Sequence, residues 1–334
     1  MNTSNSQFMQ LAIDKAWEYQ LLTYPNPAVG ATVIKNGKVL SVEAHKEAGK
    51  PHAEVLALKA AYLTEYPNSS LKDIHNSHII HEYLANNHKN FFKDCEIYVT
   101  LEPCNHIGKT PACAMLLEAV GIKKVYIGTL DPNKQASGGL QRLEQAGIEV
   151  ETGICKEKTD NLLYPFIQWQ KKNFTFFKLA MREDGSVDGG YITTKDSLSL
   201  VHEIRTKLDL LVIGGETVRV DRPTLDTRFA KTQKSPNILI YSTQKNFDIT
   251  IPLFTVPNRV VKIDDKLVQI DDCNFTMIEG GKNLLEVLKD KLDCLMLFIS
   301  HKEKNEYQFN PESLGLTKIH SYFINSDDEV IFLK

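Results

Sequence analysis

Residues 100–113 read TLEPCNHIGKTPAC, the end of an apolar strand-like run followed by a polar loop bounded by two cysteines. Cys104 and Cys113 enclose eight residues, and Cys113 falls where the helical pattern PACAMLLEAVG begins. Further upstream, residues 51–60 read PHAEVLALKA. On their own, Pro51 and Glu54 suit the first turn of a helix, and two lone cysteines suit an apolar core. Together the segments offer His52, Cys104 and Cys113 as three metal ligands. Three ligands leave the fourth tetrahedral position open to water, the arrangement of a catalytic zinc site. Zinc lowers the pKa of such a water towards ~7. Glu54 is not counted as a ligand and can carry the proton to a leaving amine.

Alternating element signals surround these segments. QFMQLAIDKAWEYQLL has helical apolar spacing, and ATVIKNGKVLSVEAH reads as a hairpin turning at Asn36-Gly37. HAEVLALKAAYL is a helix, IYVTLEP a strand and PACAMLLEAVG a helix ending at Gly121. KKVYIGTLDP, GLQRLEQAG and IEVETGI continue as strand, helix and strand. A hairpin followed by helix–strand units predicts an α/β sandwich on a mixed sheet. Residues 64–94 interrupt the order; they carry His75, His78, His81 and His88 but no completing Cys or Asp/Glu set, and read as a solvated excursion. TDNLLYPFIQWQKK predicts a linking helix, giving domains at 1–152 and 174–334 with a linker at 153–173.

The second half is a different α/β domain. FTFFKLAMRED, DLLVIGGETV, NILIYST, NRVVKI, FTMIE and DCLMLFIS read as strands, and SLSLVHEIRTKL and KNLLEVLKDKL as helices. SYFINSDDEVIFLK reads as an edge hairpin. No G-x-G-x-x-G follows a strand, so the dinucleotide fingerprint is absent.

A chain of 334 residues suggests two domains. A net charge of -3 gives no general attraction to nucleic acid or anionic membrane, and no apolar run reaches the roughly 18 residues that span a bilayer. The N-terminus lacks a secretory pattern. A cytoplasmic protein is expected, its six cysteines reduced rather than paired.

H-x-E with P-C-x-x-C marks the zinc deaminases that act on nucleobases. Here the cysteines are spaced C-x8-C, and the run instead resembles the deaminase half of the bifunctional riboflavin-biosynthesis deaminase/reductase family, H-A-E followed by T-L-E-P-C-x-H-x-G-[KR]-T-P-x-C. That resemblance implies a cytidine-deaminase-like α/β/α sandwich holding Zn2+, with Glu54 as the catalytic proton carrier. It also implies substrate contacts at Asn26 and His45, on the pyrimidine side, and at Lys109, Asp131 and Asn133, on the phosphoribosyl side. His106 matches as loop support.

FKLAMREDG, YIT, EIRTKLDLLVIGGETVRVDRPTLDTR and IEGG resemble the same family's reductase half. A dihydrofolate-reductase-like α/β domain using NADPH is implied. Lys178, Ala180, Tyr191, Thr217, Asp221, Gly280 and Gly281 fall on its cofactor side, and Arg205, Leu225, Arg228 and Glu279 on its substrate side. Two arginines suit a bidentate phosphate clamp. This half departs from the pattern at Arg182 and Glu183, at Tyr191, at Asp221-Arg222-Pro223 and in FISHKEKNEYQF. The family implies small phosphoribosylaminopyrimidine substrates, no nucleic acid, no membrane and a homo-oligomer. The alternatives are a deaminase with a degenerate reductase domain, a nucleic-acid or nucleotide deaminase with an accessory domain, and a binding module around a structural zinc.

Overall fold

Asn36 and Gly37 take left-handed φ angles of 50° and 76°, the turn that fits the twist of two adjacent antiparallel strands. In the computed structural model, which describes residues 3–106, 108, 110–187, 190, 192–302 and 310–334, this hairpin starts the first sheet. Helix α1 (Thr3–Trp17) precedes it, and the strands are β1 (Gly30–Lys35) and β2 (Lys38–Ala44). There follow α2 (Ala53–Glu65), α3 (Ser77–Asn87), β3 (Cys95–Leu101), α4 (Cys113–Val120), β4 (Lys124–Thr129), α5 (Gly139–Gln145) and β5 (Glu149–Thr152). The sheet runs β2-β1-β3-β4-β5. Its hairpin side is antiparallel and β3, β4 and β5 are parallel.

Side chains alternate across β3. Ile97, Val99 and Leu101 join Ala57, Leu58, Leu116 and Leu117 in one core. Tyr98 turns the other way, 5.4 Å from the ring of Phe8 in α1 and stacked on Tyr126 at 4.2 Å. Helices therefore cover both faces, and the mixed α/β/α sandwich read from the sequence is the observed architecture.

The excursion at 64–94 is not solvated. Asn76 caps α3, its Oδ1 accepting from the amides of His78 and Ile79. Leu71, Ile80, Leu84 and Phe92 are fully buried in the same core as the α2 and α4 side chains. Each such side chain contributes about 1.5–3 kcal/mol, so this segment is part of the first core despite its polar composition.

Helix α6 (Lys156–Lys171) comes next, and the division into two compact units, Met1–Ile167 and Gln168–Lys334, falls within it. Leu162, Leu163 and Phe166 are buried, and the Gln20 amide donates to the Leu162 carbonyl at 2.7 Å.

The second unit comprises β6 (Phe174–Arg182), α7 (Lys195–Arg205), β7 (Leu210–Gly214), α8 (Gly215–Asp221), β8 (Asn237–Tyr241), β9 (Val261–Asp264), β10 (Phe275–Glu279), α9 (Lys282–Leu288), β11 (Cys294–Ser300), β12 (Lys318–Phe323) and β13 (Asp328–Leu333). Its sheet runs β12-β13-β11-β6-β10-β7-β8-β9. The six strands from β11 to β9 are parallel, and the closing hairpin pairs antiparallel at one edge. Every residue of β11 is buried, which is why CLMLFIS reads as a continuous apolar run rather than an alternating one. Buried Asp328 accepts from the Thr194 amide at 2.7 Å and from the Ser197 hydroxyl at 2.5 Å. It thereby holds the start of α7, the helix that carries Arg205. Among the described residues no helix is long and apolar enough to cross a membrane, and all six cysteines are free.

Candidate metal centre and reductase site

His52 is the N-cap residue of α2, in extended backbone just ahead of the helix, and Cys113 is the first residue of α4. Cys104 follows β3. Two helix starts and one strand end thus converge. Nδ1 of His52 lies 3.6 Å from Cys104 Sγ and 3.4 Å from Cys113 Sγ. Tetrahedral zinc with ordinary Zn–N and Zn–S bond lengths sets such atoms about 3.5 Å apart, so the residues fit the metal. Among the described residues they are the one His/Cys/Asp/Glu group able to hold an ion, with ligand atoms within 4.8 Å of one another. Neither Glu54 nor His106 joins the group, and neither do the histidines of residues 64–94. Three protein ligands is the count of an open catalytic site.

The charges suit a metal. The hydrogen bond with Cys113 and the neighbouring His52 hold the Cys104 thiol down to about 4 against its burial, while the bond to Cys104 and burial push Cys113 up. Nε2 of His52, the ring nitrogen away from the sulfurs, lies 3.2 Å from the hydroxyl of Thr110. With Nδ1 directed at the sulfurs, Nε2 carries the proton and Thr110 accepts it, which fixes the tautomer a ligand needs.

Glu54 sits in the first turn of α2 at 4% exposure. Burial raises its carboxyl to about 7, with Cys104 adding to the rise and His52 opposing it. His45 is buried beside the metal ligands, its ring edge-on to His52 with centroids 5.2 Å apart. Its Nδ1 donates to the Pro51 carbonyl at 3.1 Å, so Nε2 accepts from the Asn26 amide at 3.1 Å. Burial, and then His52, lower its pKa to about 4. Asn26, His45 and His52 are therefore linked side by side, with Glu54 two residues beyond His52 in the first turn of α2.

Asp131 and Asn133 stand on the loop after β4. Asp131 Oδ1 accepts from the Asn133 amide at 2.8 Å, and Asn133 Oδ1 from the Gln135 amide at 3.0 Å. Burial raises the Asp131 pKa, with Glu102 and Cys104 adding to it. Lys109, expected beside them, lies outside the described residues, as does Tyr191. His106 is exposed.

In the second unit, Lys178 of β6 and Ile213 of β7 flank Glu279 of β10 in register. Glu279 receives Arg205 through Nε at 3.0 Å and Nη2 at 2.8 and 3.0 Å. Arg205 Nη1 bonds the Asp226 carbonyl at 3.1 Å. The phosphate clamp expected of Arg205 and Arg228 is not assembled. Arg205 commits its guanidinium to Glu279, and Arg228 is exposed with Nε on Asp226 at 2.9 Å. Lys178 is lowered by burial, with Glu279 opposing and Arg205 adding. Leu225 is buried at a φ of 55°, and its carbonyl receives Arg259, a residue with no motif to announce it.

Gly214 ends β7, and Gly280-Gly281 follows β10, so both glycine turns open at the carboxyl ends of neighbouring parallel strands, where open α/β sheets bind ligands. A Cβ at Gly281 would meet nothing within 4 Å, leaving the backbone approachable by a cofactor, whereas one at Gly280 would meet Leu284 at 2.7 Å. Thr217 and Asp221 lie on α8, Asp221 at its exposed end, and Ala180 on β6 beside Phe298. The backbone at Gly281 is thus open to a dinucleotide at this edge, while Gly280 also gives room to the Leu284 side chain.

Residues 2–129 match the family model described as the cytidine and deoxycytidylate deaminase zinc-binding region. The chain is 32% identical over 305 residues to the riboflavin biosynthesis protein RibD of Aquifex aeolicus, covering 85% of this chain and 76% of that protein. It is 30% identical over 303 residues to RibD of Bacillus amyloliquefaciens, covering 84% and 73%. Among solved structures, the diaminohydroxyphosphoribosylaminopyrimidine deaminase/5-amino-6-(5-phosphoribosylamino)uracil reductase of Thermotoga maritima superposes with a TM-score of 0.63 at 25% identity, over 99% of this chain and 98% of that one. Acinetobacter baumannii RibD shares the fold at a TM-score of 0.62 and 24% identity. With its three-ligand metal centre and this likeness along both units, the chain belongs to the RibD family of riboflavin biosynthesis proteins.

Proposed function

We propose that the chain catalyses two reactions, hydrolytic deamination of diaminohydroxyphosphoribosylaminopyrimidine in its first unit and NADPH-dependent reduction of 5-amino-6-(5-phosphoribosylamino)uracil in its second. The observation that carries the first is the open His52–Cys104–Cys113 set with buried Glu54 alongside. Zinc held there supplies the Lewis acidity that makes hydroxide available near neutral pH. The Glu54 carboxylate takes a proton from the attacking water and delivers it to the amino nitrogen, which leaves as ammonia, while the water's second proton passes to the adjacent ring nitrogen as the ring carbon becomes a carbonyl. A carboxyl held near 7 by burial is suited to both halves of that transfer. The Asn26 side chain, oriented by neutral His45, faces the pyrimidine, and Lys109, Asp131 and Asn133 hold the phosphoribosyl part.

In the second unit NADPH supplies the hydride. Lys178, Ala180, Tyr191, Thr217, Asp221, Gly280 and Gly281 hold the cofactor, and Arg205, Leu225, Arg228 and Glu279 shape the substrate side. Arg205 acts there by locking Glu279 in place, since its own donors are engaged. The departures at Arg182, Glu183 and Asp221-Arg222-Pro223 favour a second reading, in which this unit keeps the fold without turnover. A cytoplasmic location and homo-oligomeric assembly belong to the same proposal.

Ammonia release and NADPH oxidation, followed separately on the purified chain, test both halves. Glu54→Gln is expected to retain zinc, lose deamination by about 10²–10⁴-fold and leave reduction intact. Ammonia release at the parent rate removes Glu54 from the mechanism. Absence of NADPH oxidation with the uracil substrate selects the second reading.

A further inference from the structure

Glu102 carries no role in the chemistry above, yet it is a carboxylate at 5% exposure between an apolar strand and Pro103. Burying an ionised carboxylate is costly unless its oxygens are met by donors, and here three backbone amides meet them. Oε2 accepts from Asp131 at 3.1 Å, and Oε1 from Gly138 at 2.9 Å and Leu140 at 3.0 Å. Asp131 and Gly138 lie on the loop that bears Asp131 and Asn133, and Leu140 lies in the first turn of α5, which follows that loop. The main chain adds two bonds across the same seam, Glu102 N to the Thr129 carbonyl at 2.9 Å and Asn105 N to the Ala136 carbonyl at 2.9 Å. Gly139 completes it, because a Cβ there would stand 1.9 Å from the Pro103 carbonyl oxygen. The seam joins the segment 102–105, which contains the ligand Cys104, to the segment 129–140.

We propose that Glu102 is a positioning residue for deamination, which fixes Asp131 and Asn133 relative to the metal ligands and so sets where the phosphoribosyl part lies when the ring carbon is at the metal. The proposal rests on the assignment of Asp131 and Asn133 to that part of the substrate. The Glu102 side chain itself touches neither metal nor substrate. It holds the loop that does. Gln at this position keeps one acceptor oxygen and turns an NH2 group towards backbone N–H donors, so the seam loses bonds on one side and gains a repulsion.

The test compares parent, Glu102→Gln and Gly139→Ala on two substrates, the phosphoribosylated pyrimidine and the same aminopyrimidine without its phosphoribosyl group. Glu102→Gln is expected to keep stoichiometric zinc and NADPH-dependent reduction while kcat/KM for the full substrate falls about 10²-fold, the loss expected of an ångström-scale misplacement, carried by KM. Turnover of the truncated pyrimidine, which does not reach Asp131 or Asn133, should match the parent. Gly139→Ala, which pushes the same loop away without touching the carboxylate, should show the same split. Equal loss on both substrates, or no loss on either, overturns the proposal. Should Glu102→Gln fail to fold, Gly139→Ala decides alone. A parent that deaminates neither substrate would instead remove the proposed function.

Discussion

Thr110→Val removes one oxygen from the wall of the metal centre and leaves its volume nearly unchanged. Thr110 is 6% exposed, and its hydroxyl is 3.2 Å from His52 Nε2. The two sulfurs stand against Nδ1, so Nε2 is protonated, and valine leaves that N–H buried without an acceptor. An unsatisfied buried donor costs about 1–3 kcal/mol. Loss of the outer partner of a ligating histidine typically weakens metal binding about 10–100-fold, which converts to about 1.4–2.7 kcal/mol. The two routes agree, so the zinc dissociation constant should rise by one to two powers of ten. Chelator competition at fixed pH measures it. Since metal binds the folded state, the first unit should also melt lower at limiting zinc and recover as free zinc is raised. Thr110→Ser, which keeps the hydroxyl, should bind nearly as the parent does. Zinc affinity for Thr110→Val within twofold of the parent, with an unchanged cobalt absorption spectrum, would show that this hydroxyl does not orient His52.

Other consequences reach both units. Arg205→Met leaves Glu279 charged and buried beside Lys178, and breaking such a pair costs about 3–5 kcal/mol; melting of the full chain should show it, and adding Glu279→Gln should restore part of the loss. If the double variant is no more stable than the single one, the stranded charge is not the cause. Burial works to raise the pKa of Glu279, but Arg205 and Lys178 outweigh it and hold the folded value below 4.5. Its contribution to stability is therefore full above the unfolded pKa and is lost as pH falls through the lowered folded one, so Glu279→Gln should flatten acid unfolding below about pH 4.5. His45 should titrate near pH 4 rather than 6.5, because burial and then His52 disfavour its charge. The stability it contributes is complete above 6.5 and is lost as pH falls towards 4; a ring that gains its proton near 6.5 in an NMR titration contradicts the closed Asn26–His45–Pro51 chain.

Local signals in the chain were enough for the hairpin, the helix starts at His52 and Cys113, and the apolar parallel strands, because turn geometry, capping and burial on two faces each leave a mark within a few residues. The metal set was legible too, since His52, Glu54, Cys104 and Cys113 follow one another in two short recognisable segments. What stayed hidden acts at a distance. Thr110 meets a partner 58 residues away, Glu102 one 29 residues away and Arg205 one 74 residues away, and no periodicity records such pairs. Residues 64–94 misled through composition: asparagines, histidines and lysines outnumber the few apolar side chains, Leu71, Ile80, Leu84, Phe91 and Phe92, that are buried in the core. The chain also gives no sign that Arg205 meets Glu279, because a guanidinium suited to phosphate is equally suited to a carboxylate.

Helix α6 belongs to two owners. Its earlier turns give Leu162, Leu163 and Phe166 to the first unit, while Trp169, two residues past the division, stands edge-on to Phe174 and Phe275 at 5.7 and 5.2 Å in the second. A split at the division parts the helix between these two sets of side chains, so each product keeps its own core residues and carries half of α6. Separating the two units would therefore give each product a new helix end, with backbone groups to satisfy that the intact helix pairs internally.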